Sequence, residues 1–566
     1  MKQEWQKKKK TVWMKMELFP VIFILTVLPL IVRLKIVKTG LENYTWFPEQ
    51  SIRGDFFAWW RSVIFLMLSV WMIFILLYRK VVLKYQWKIK KEWMLLLAYM
   101  ALTVISSVFS KFQNISWFGM VENYEGCFVI LAYGIAFFYT VQIVETKRQI
   151  QILLEAFSFG ALLQAALGLT QFTGKDFWSS FIGNLLIAPG EKLSFQFTDS
   201  KTNTVYMALY NPNYAAVFIV MVLPVCIYLF CTYKEIWKKT IISIEIFMLL
   251  ICLRGTGSKA SVVALAAVLG IWSCKVLISK KGKWGIVAGV CILAVAAAIM
   301  VRICPVLKSS YNLQDILVTD SGFEVKTSNG EFFVTAKAYG KDSVLLLVKD
   351  ENGEKLPVEY NEKRGRSVIK RKKYRAFSFE WYMKNESIYV VMYYKKHPFY
   401  FVKEGDGAFT YQNIFGKKDS IEKAETYITD AYDRVLNSRI YIWNRVLPLI
   451  KHYIIKGSGP DTFAFVFPQN DYVGRINAST AVYEDIITKP HSMYLQTALQ
   501  NGVLSLGCLI AFFFCCLRKM IKRNERFYIA LAISIVGYLI MGIVNDSMIM
   551  TAPVFWVLLG IGMALV

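Results

Sequence analysis

The chain is short of histidine, short of acid relative to base, and free of cysteine over its long central stretch. Three histidines in 566 residues leave few ligands for a histidine-rich metal centre. Ten cysteines are present, yet none lies between Cys304 and Cys508, so no disulfide framework staples the middle of the chain. No cysteine pair stands with histidine at zinc spacing, and neither a metal nor a cofactor is expected. Acidic residues number 40 against 66 lysines and arginines, a formal net charge of +26. An excess of that size suits a nucleic-acid binder, but its placement argues against one. Much of it sits in short connections between apolar runs, where it acts as a topological signal and can meet anionic lipid headgroups.

What the chain has in plenty is apolar residue: 56% hydrophobic and 15% aromatic, with a mean hydropathy of +0.41. That exceeds what a soluble core needs and points to lipid. Apolar windows of roughly 17 to 22 residues, enough for a helix to cross about 30 Å of hydrocarbon, recur along the sequence. They fall at 18–34, 58–78, 94–110, 127–144, 152–171, 213–231, 240–254, 260–278, 285–303, 502–518, 527–544 and 552–566. The expectation is an all-α polytopic membrane protein of about twelve transmembrane helices, nine within 1–303 and three within 501–566. Every second connection is basic, among them Lys7–Lys10, Arg79 to Lys91, Lys234/Lys238/Lys239 and Arg518/Lys519/Lys522/Arg523. This alternation predicts cytoplasmic termini and an extracytoplasmic domain over 304–500. The first apolar run lacks a small-residue cleavage pattern and reads as an anchor.

Within that domain the pattern changes. Over 311–416 the runs Phe333–Ala338, Val344–Val348 and Ile388–Tyr394 alternate with period two and are punctuated by Asn329-Gly330 and Asn352-Gly353. Alternation with Asn-Gly turns predicts antiparallel hairpins, hence a β-rich insertion. Its aromatics Tyr393, Tyr394, Phe399, Tyr400 and Phe401 can stack on sugar faces or fill a core. From 418 to 500 the pattern is helical, and Ile440, Trp443, Leu447 and Ile450 mark an amphipathic helix.

Four patches carry candidate chemistry. His491, in Lys489-Pro490-His491-Ser492, stands where a helix begins and can accept a proton from a sugar hydroxyl. Arg439 and Arg445 lie six residues apart, about 600° of helical rotation, and so point to different faces. An arginine there can hold a phosphate in two-pronged fashion, and Gly457 and Gly459 let the backbone turn tightly beside it. Asn211 and Asn213, in Tyr210-Asn211-Pro212-Asn213-Tyr214, offer amides at the start of an apolar run. Lys259, in Thr256-Gly257-Ser258-Lys259, is a cation on the side where basic residues are scarce, and it calls for an anionic partner.

Taken in order, Asn211 to Ala216, Thr256-Gly257-Ser258-Lys259-Ala260, Arg439-x-x-x-Trp443, Gly457-x-Gly459-Pro460-x-x-Phe463, and His491-Ser492-x-x-Leu495 ahead of Asn501-Gly502 resemble the O-antigen ligase and polymerase (Wzy-like) family. Trp117-Phe118-Gly119-Met120 with Glu125-Gly126 is similar to that family's connection before the fourth span, and the resemblance covers roughly 95–560. It implies a glycosyltransferase of the bacterial plasma membrane. Such an enzyme moves a glycan from an undecaprenyl-pyrophosphate carrier to a glycan, lipid or protein acceptor, without metal and with inversion. It implies His491 as base or acceptor-orienting group and Arg439 as pyrophosphate ligand. Lys259 replaces the family's arginine and brings charge without the guanidinium fork. A flippase or transporter of lipid-linked oligosaccharide is the rival class, for which Arg61, Glu155 and Glu245 lie in or near the apolar runs.

Overall fold

The computed structural model describes residues 2–47, 52–191, 195, 197, 203–267, 270, 312–339, 343–480 and 486–566. The expected span 285–303, and most of 260–278, lie outside them. Four of the described helices are long and apolar enough to cross a membrane: Trp59–Val81, Lys147–Phe172, Pro212–Thr232 and Val503–Arg523. Four more apolar helices, Trp93–Val108, Cys127–Ile143, Arg526–Met541 and Ala552–Met563, are shorter.

An all-α architecture of about twelve transmembrane helices is therefore not what the chain forms. The apolar windows overcount because they do not see where helices stop. The window 18–34 is divided among the end of helix Lys2–Thr26, a 3-10 turn at Leu28–Leu30 containing Pro29, and an extended segment. The windows 94–110 and 527–544 each yield a helix of 16 residues, about 24 Å long against the roughly 30 Å to be crossed. Hydropathy also cannot tell lipid-facing from protein-facing surface. Every residue of helix Ala552–Met563 is buried inside the protein. That helix packs on Cys127–Ile143, as Pro212–Thr232 packs on Arg526–Met541 and Val503–Arg523 on Trp93–Val108.

The described residues also form three β-sheets. A two-stranded hairpin joins β1 (Lys35–Lys38) to β2 (Ile52–Asp55). A four-stranded antiparallel sheet runs in order β3 (Leu313–Thr319), β4 (Gly322–Thr327), β5 (Gly330–Ala338) and β6 (Val344–Asp350). A seven-stranded sheet follows with consecutive neighbours: β7 (Val358–Asn361), β8 (Arg366–Ile369), β9 (Phe377–Lys384), β10 (Ser387–Tyr394), β11 (His397–Glu404), β12 (Phe409–Gln412) and β13 (Lys418–Asp419). The two larger sheets share one core, in which Phe323 stacks on Phe401 at 3.7 Å and Phe332 meets Phe377 and Phe379. Strand alternation sends Tyr394, Phe399 and Phe401 into this core, where they are buried. They cannot stack on sugars; Tyr393 and Tyr400 are the two of the five that keep partial exposure. Helix Tyr472–Ala478 adds Tyr472, Val473 and Ile476 to the same core, and Asn477 donates to the Leu313 carbonyl at 2.8 Å. These contacts seat the sandwich on the helical segments that follow it.

Candidate functional site

Helix Arg439–Ile450 begins after three consecutive left-handed residues, Leu436, Asn437 and Ser438. Its Trp443 donates Nε1–H to the Pro490 carbonyl at 2.9 Å, which holds the segment bearing His491 against the helix. His491 adopts φ +52°, a conformation non-glycine residues enter only when the surroundings impose it. The Ser492 amide donates to Asp546 Oδ1 at 3.1 Å, and the Met493 amide donates to the carbonyls of Gly542 and Asn545. The turn is thereby tied to the end of helix Arg526–Met541.

Asp546 is the hub. Its side chain is fully buried, and its Oδ2 stands 3.2 Å from His491 Nδ1. The contact is near enough for an ion pair but is not aligned as a hydrogen bond, and Oδ2 has no hydrogen bond among the described residues. The imidazole is 44% exposed. One ring nitrogen therefore faces a fixed carboxylate while the other remains open to a reactant. The same carboxylate is the leading electrostatic partner of Arg439, followed by the Tyr214 hydroxyl. Burial lowers the Arg439 pKa from its ordinary value, and these two groups oppose the fall. Arg439 has no side-chain hydrogen bond or ion pair among the described residues.

Lys489, 8% exposed, lies 5.7 Å from the Tyr210 ring and 5.8 Å from the Tyr214 ring. Burial lowers its pKa; Asp546, Asp461, Glu122 and Glu125 act against this. Asp461 (φ +59°) accepts from the Met120 amide at 2.6 Å, Asn123 Nδ2 at 2.8 Å and the Glu125 amide at 3.3 Å. Glu125 accepts from Tyr133 OH at 2.6 Å, Ser547 Oγ at 2.8 Å and Gln496 Nε2 at 3.3 Å. It lines a cavity of about 30 Å³, room for a water or two. Burial raises Glu125 to about 7 and Asp461 to about 6.

Of the residues singled out in the sequence, His491 contacts Asp546, and Arg439 is near enough to feel the charge of the same carboxylate and of Tyr214 without a hydrogen bond or ion pair to either. Asn211 works as a helix cap, its Oδ1 accepting from the Asn213 amide at 2.8 Å at the start of helix Pro212–Thr232. Arg445 is taken up in the protein: it pairs with Asp471 and with Asp433 (2.8 Å), approaches Asp430 (3.7 Å), and lies over the Tyr441 ring. A guanidinium at 3% exposure with three acids around it is a structural tie, so the geometry corrects its reading as a substrate ligand. Gly457 and Gly459 are likewise packing positions. A Cβ on Gly457 would stand 2.2 Å from the Gln500 carbonyl oxygen, and one on Gly459 2.5 Å from Ser110 Oγ. They dock the loop carrying Asp461 onto helices Trp93–Val108 and Met493–Gln500. Lys259 is exposed at the turn after helix Ile236–Thr256 and is not among the described contacts of Arg439 or His491.

Sequence reasoning missed Asp546, Asp461 and Lys489. An aspartate at the end of an apolar run, as in Val544-Asn545-Asp546, was the available signal for the first. Among the described residues no group of three or more His, Cys, Asp or Glu side chains is placed to hold a metal. No protein-family model, curated protein or solved structure matches the chain.

Proposed function

We propose that this chain is a membrane glycosyltransferase of the O-antigen ligase and polymerase type. It moves a glycan from a lipid-linked diphosphate to an acceptor hydroxyl on the outer face of a bacterial plasma membrane. The observation that carries the reading is the cluster at Asp546: a histidine backed by a buried carboxylate, near a half-buried arginine that makes no side-chain hydrogen bond or ion pair among the described residues. Such a donor already bears a good leaving group, so the protein has to place a hydroxyl and receive charge. The acceptor oxygen attacks the anomeric carbon as its proton passes to the open nitrogen of His491. The bond from that carbon to the diphosphate oxygen breaks, and Arg439 meets the negative charge left on the phosphate. The four helices long and apolar enough to cross a membrane support a multi-pass placement.

The test is glycan transfer by His491→Ala and Arg439→Ala proteins whose abundance in the membrane equals wild type. Both should lose transfer; full transfer by His491→Ala removes the mechanism. The flippase reading draws support from Arg61 in helix Trp59–Val81. It donates to the Pro29 carbonyl at 2.9 Å and to that of Ala208, while Nε and Nη1 have no partner among the described residues. Glu245 and Glu155 are both hydrogen-bonded, to Ser158 and Cys226 and to Tyr233 and Gln151 respectively. Movement of lipid-linked oligosaccharide across vesicles without transfer, lost in Arg61→Met, would decide for that reading.

A further inference from the structure

Lys489 carries more than its neighbourhood to His491 suggests. It is among the buried polar residues, yet its ammonium makes no hydrogen bond and no ion pair among the described residues. What it faces is the pair of phenol rings from the turn that opens helix Pro212–Thr232, Tyr210 and Tyr214. Asp546, Asp461, Glu122 and Glu125 act on it only at longer range. Removing an ammonium from water with no hydrogen bond or ion pair among the described residues costs free energy that those residues do not return in full. The two tyrosine rings repay only part of it, because even a desolvated cation–ring contact is worth less than the cost of burying an ion. The deficit is met when an anion enters.

Arg439, half-buried, likewise makes no side-chain hydrogen bond or ion pair among the described residues, and it feels the same Asp546 charge as Lys489. One guanidinium would suffice for a carboxylate or a single phosphate. Two cations of different shape, a planar fork and a compact ammonium, match two linked phosphates.

We infer that Lys489 is a second cationic contact, alongside Arg439, for a diphosphate, with the Tyr210 and Tyr214 rings beside it. The inference rests on the proposed donor chemistry and adds a residue to it. It also moves the second charge from the exposed Lys259 to a buried position two residues from His491. The diphosphate can be a lipid headgroup or a soluble ion, and the test separates them.

The full-length chain in detergent is titrated calorimetrically with farnesyl diphosphate and, separately, with inorganic pyrophosphate. Wild type should bind farnesyl diphosphate more tightly than pyrophosphate. Lys489→Met should weaken diphosphate binding by about tenfold or more, the scale of one lost charged contact, while Lys489→Arg stays within about threefold because charge is kept. Thermal unfolding distinguishes a structural role: Lys489→Met removes no hydrogen bond or ion pair among the described residues and relieves the burial of a charge, so it should melt no lower than wild type. Wild-type affinity in Lys489→Met with weakened binding in Arg439→Ala overturns the inference and leaves the proposed function standing. A lower melting temperature for Lys489→Met, unrescued by arginine, overturns it in favour of packing. Equal affinity for both probes, lost together in Lys489→Met, upholds the pocket but removes the lipid-linked donor from the proposed function.

Discussion

Replacing Asp546 by asparagine removes one charge and little else. The side chain is fully buried and accepts from the Ser492 amide through Oδ1 at 3.1 Å. Asparagine keeps an acceptor at that position, so the turn should stay in place at a cost below about 1 kcal/mol. What is lost is the carboxylate 3.2 Å from His491 Nδ1 and the leading electrostatic partner of Arg439. A positioned base contributes roughly 10²- to 10⁴-fold to rate, about 3–5 kcal/mol at 1.36 kcal/mol per decade. An imidazole without its fixed neighbour should forfeit much of that. Asp546→Ala is the paired control: it leaves the buried Ser492 amide without its acceptor and should cost about 1–3 kcal/mol of stability in addition. The assay is transfer from a lipid-linked diphosphate donor by reconstituted protein, with kcat and KM separated and unfolding followed in parallel. The expected result is a fall in kcat for Asp546→Asn of about a hundredfold or more at near-native stability. Activity within about twofold of wild type, in a folded Asp546→Asn protein, refutes the role assigned to this carboxylate.

Arg445→Met should destabilise the fold by about 3–5 kcal/mol, because Asp433 and Asp471 are left buried without their countercharge; denaturant unfolding checks it, and an unchanged midpoint would contradict the structural assignment. Gly459→Ala, at φ +111° with Ser110 Oγ 2.5 Å from the new carbon, should cost more than about 2 kcal/mol through backbone strain and overlap, as measured by melting temperature. The pH dependence follows from Glu125 at about 7 and Asp461 at about 6, both raised by burial. The folded state then holds protons that the unfolded state has released, so this part of the stability is complete below about pH 4, where both forms are protonated, and is lost as pH rises through 6 and 7. Glu125→Gln should flatten the fall between pH 4.5 and about 7, and a slope identical to wild type would show that Glu125 does not titrate there.

Part of this protein is legible from local pattern. The period-two runs Phe333–Ala338, Val344–Val348 and Ile388–Tyr394 are strands, since side chains alternate between sheet faces whatever the strand pairs with. Asn211-Pro212 opens a helix because an Asx side chain caps it and proline suits its first turn. Apolar runs mark helical segments, but their lengths mislead: hydropathy does not register the 3-10 turn at Leu28–Leu30 or the early ends that leave Arg526–Met541 at 16 residues.

The rest was decided by packing between distant parts of the chain. Nothing near Arg445 in sequence announces that Asp471 closes on it, and the neighbouring Arg439 differs from it only in what the fold places opposite. The aromatics of β10 and β11 divide into core and outer face by the register of their sheet and by which side the second sheet covers. His491 and Asp546 are 55 positions apart and touch only because Met493 is bonded to the end of helix Arg526–Met541. Local propensity is set by each residue and its immediate neighbours, so it survives in the sequence. Burial of a charge, and the partner that balances it, depend on which surfaces meet, and those are defined only once the helices and sheets have packed.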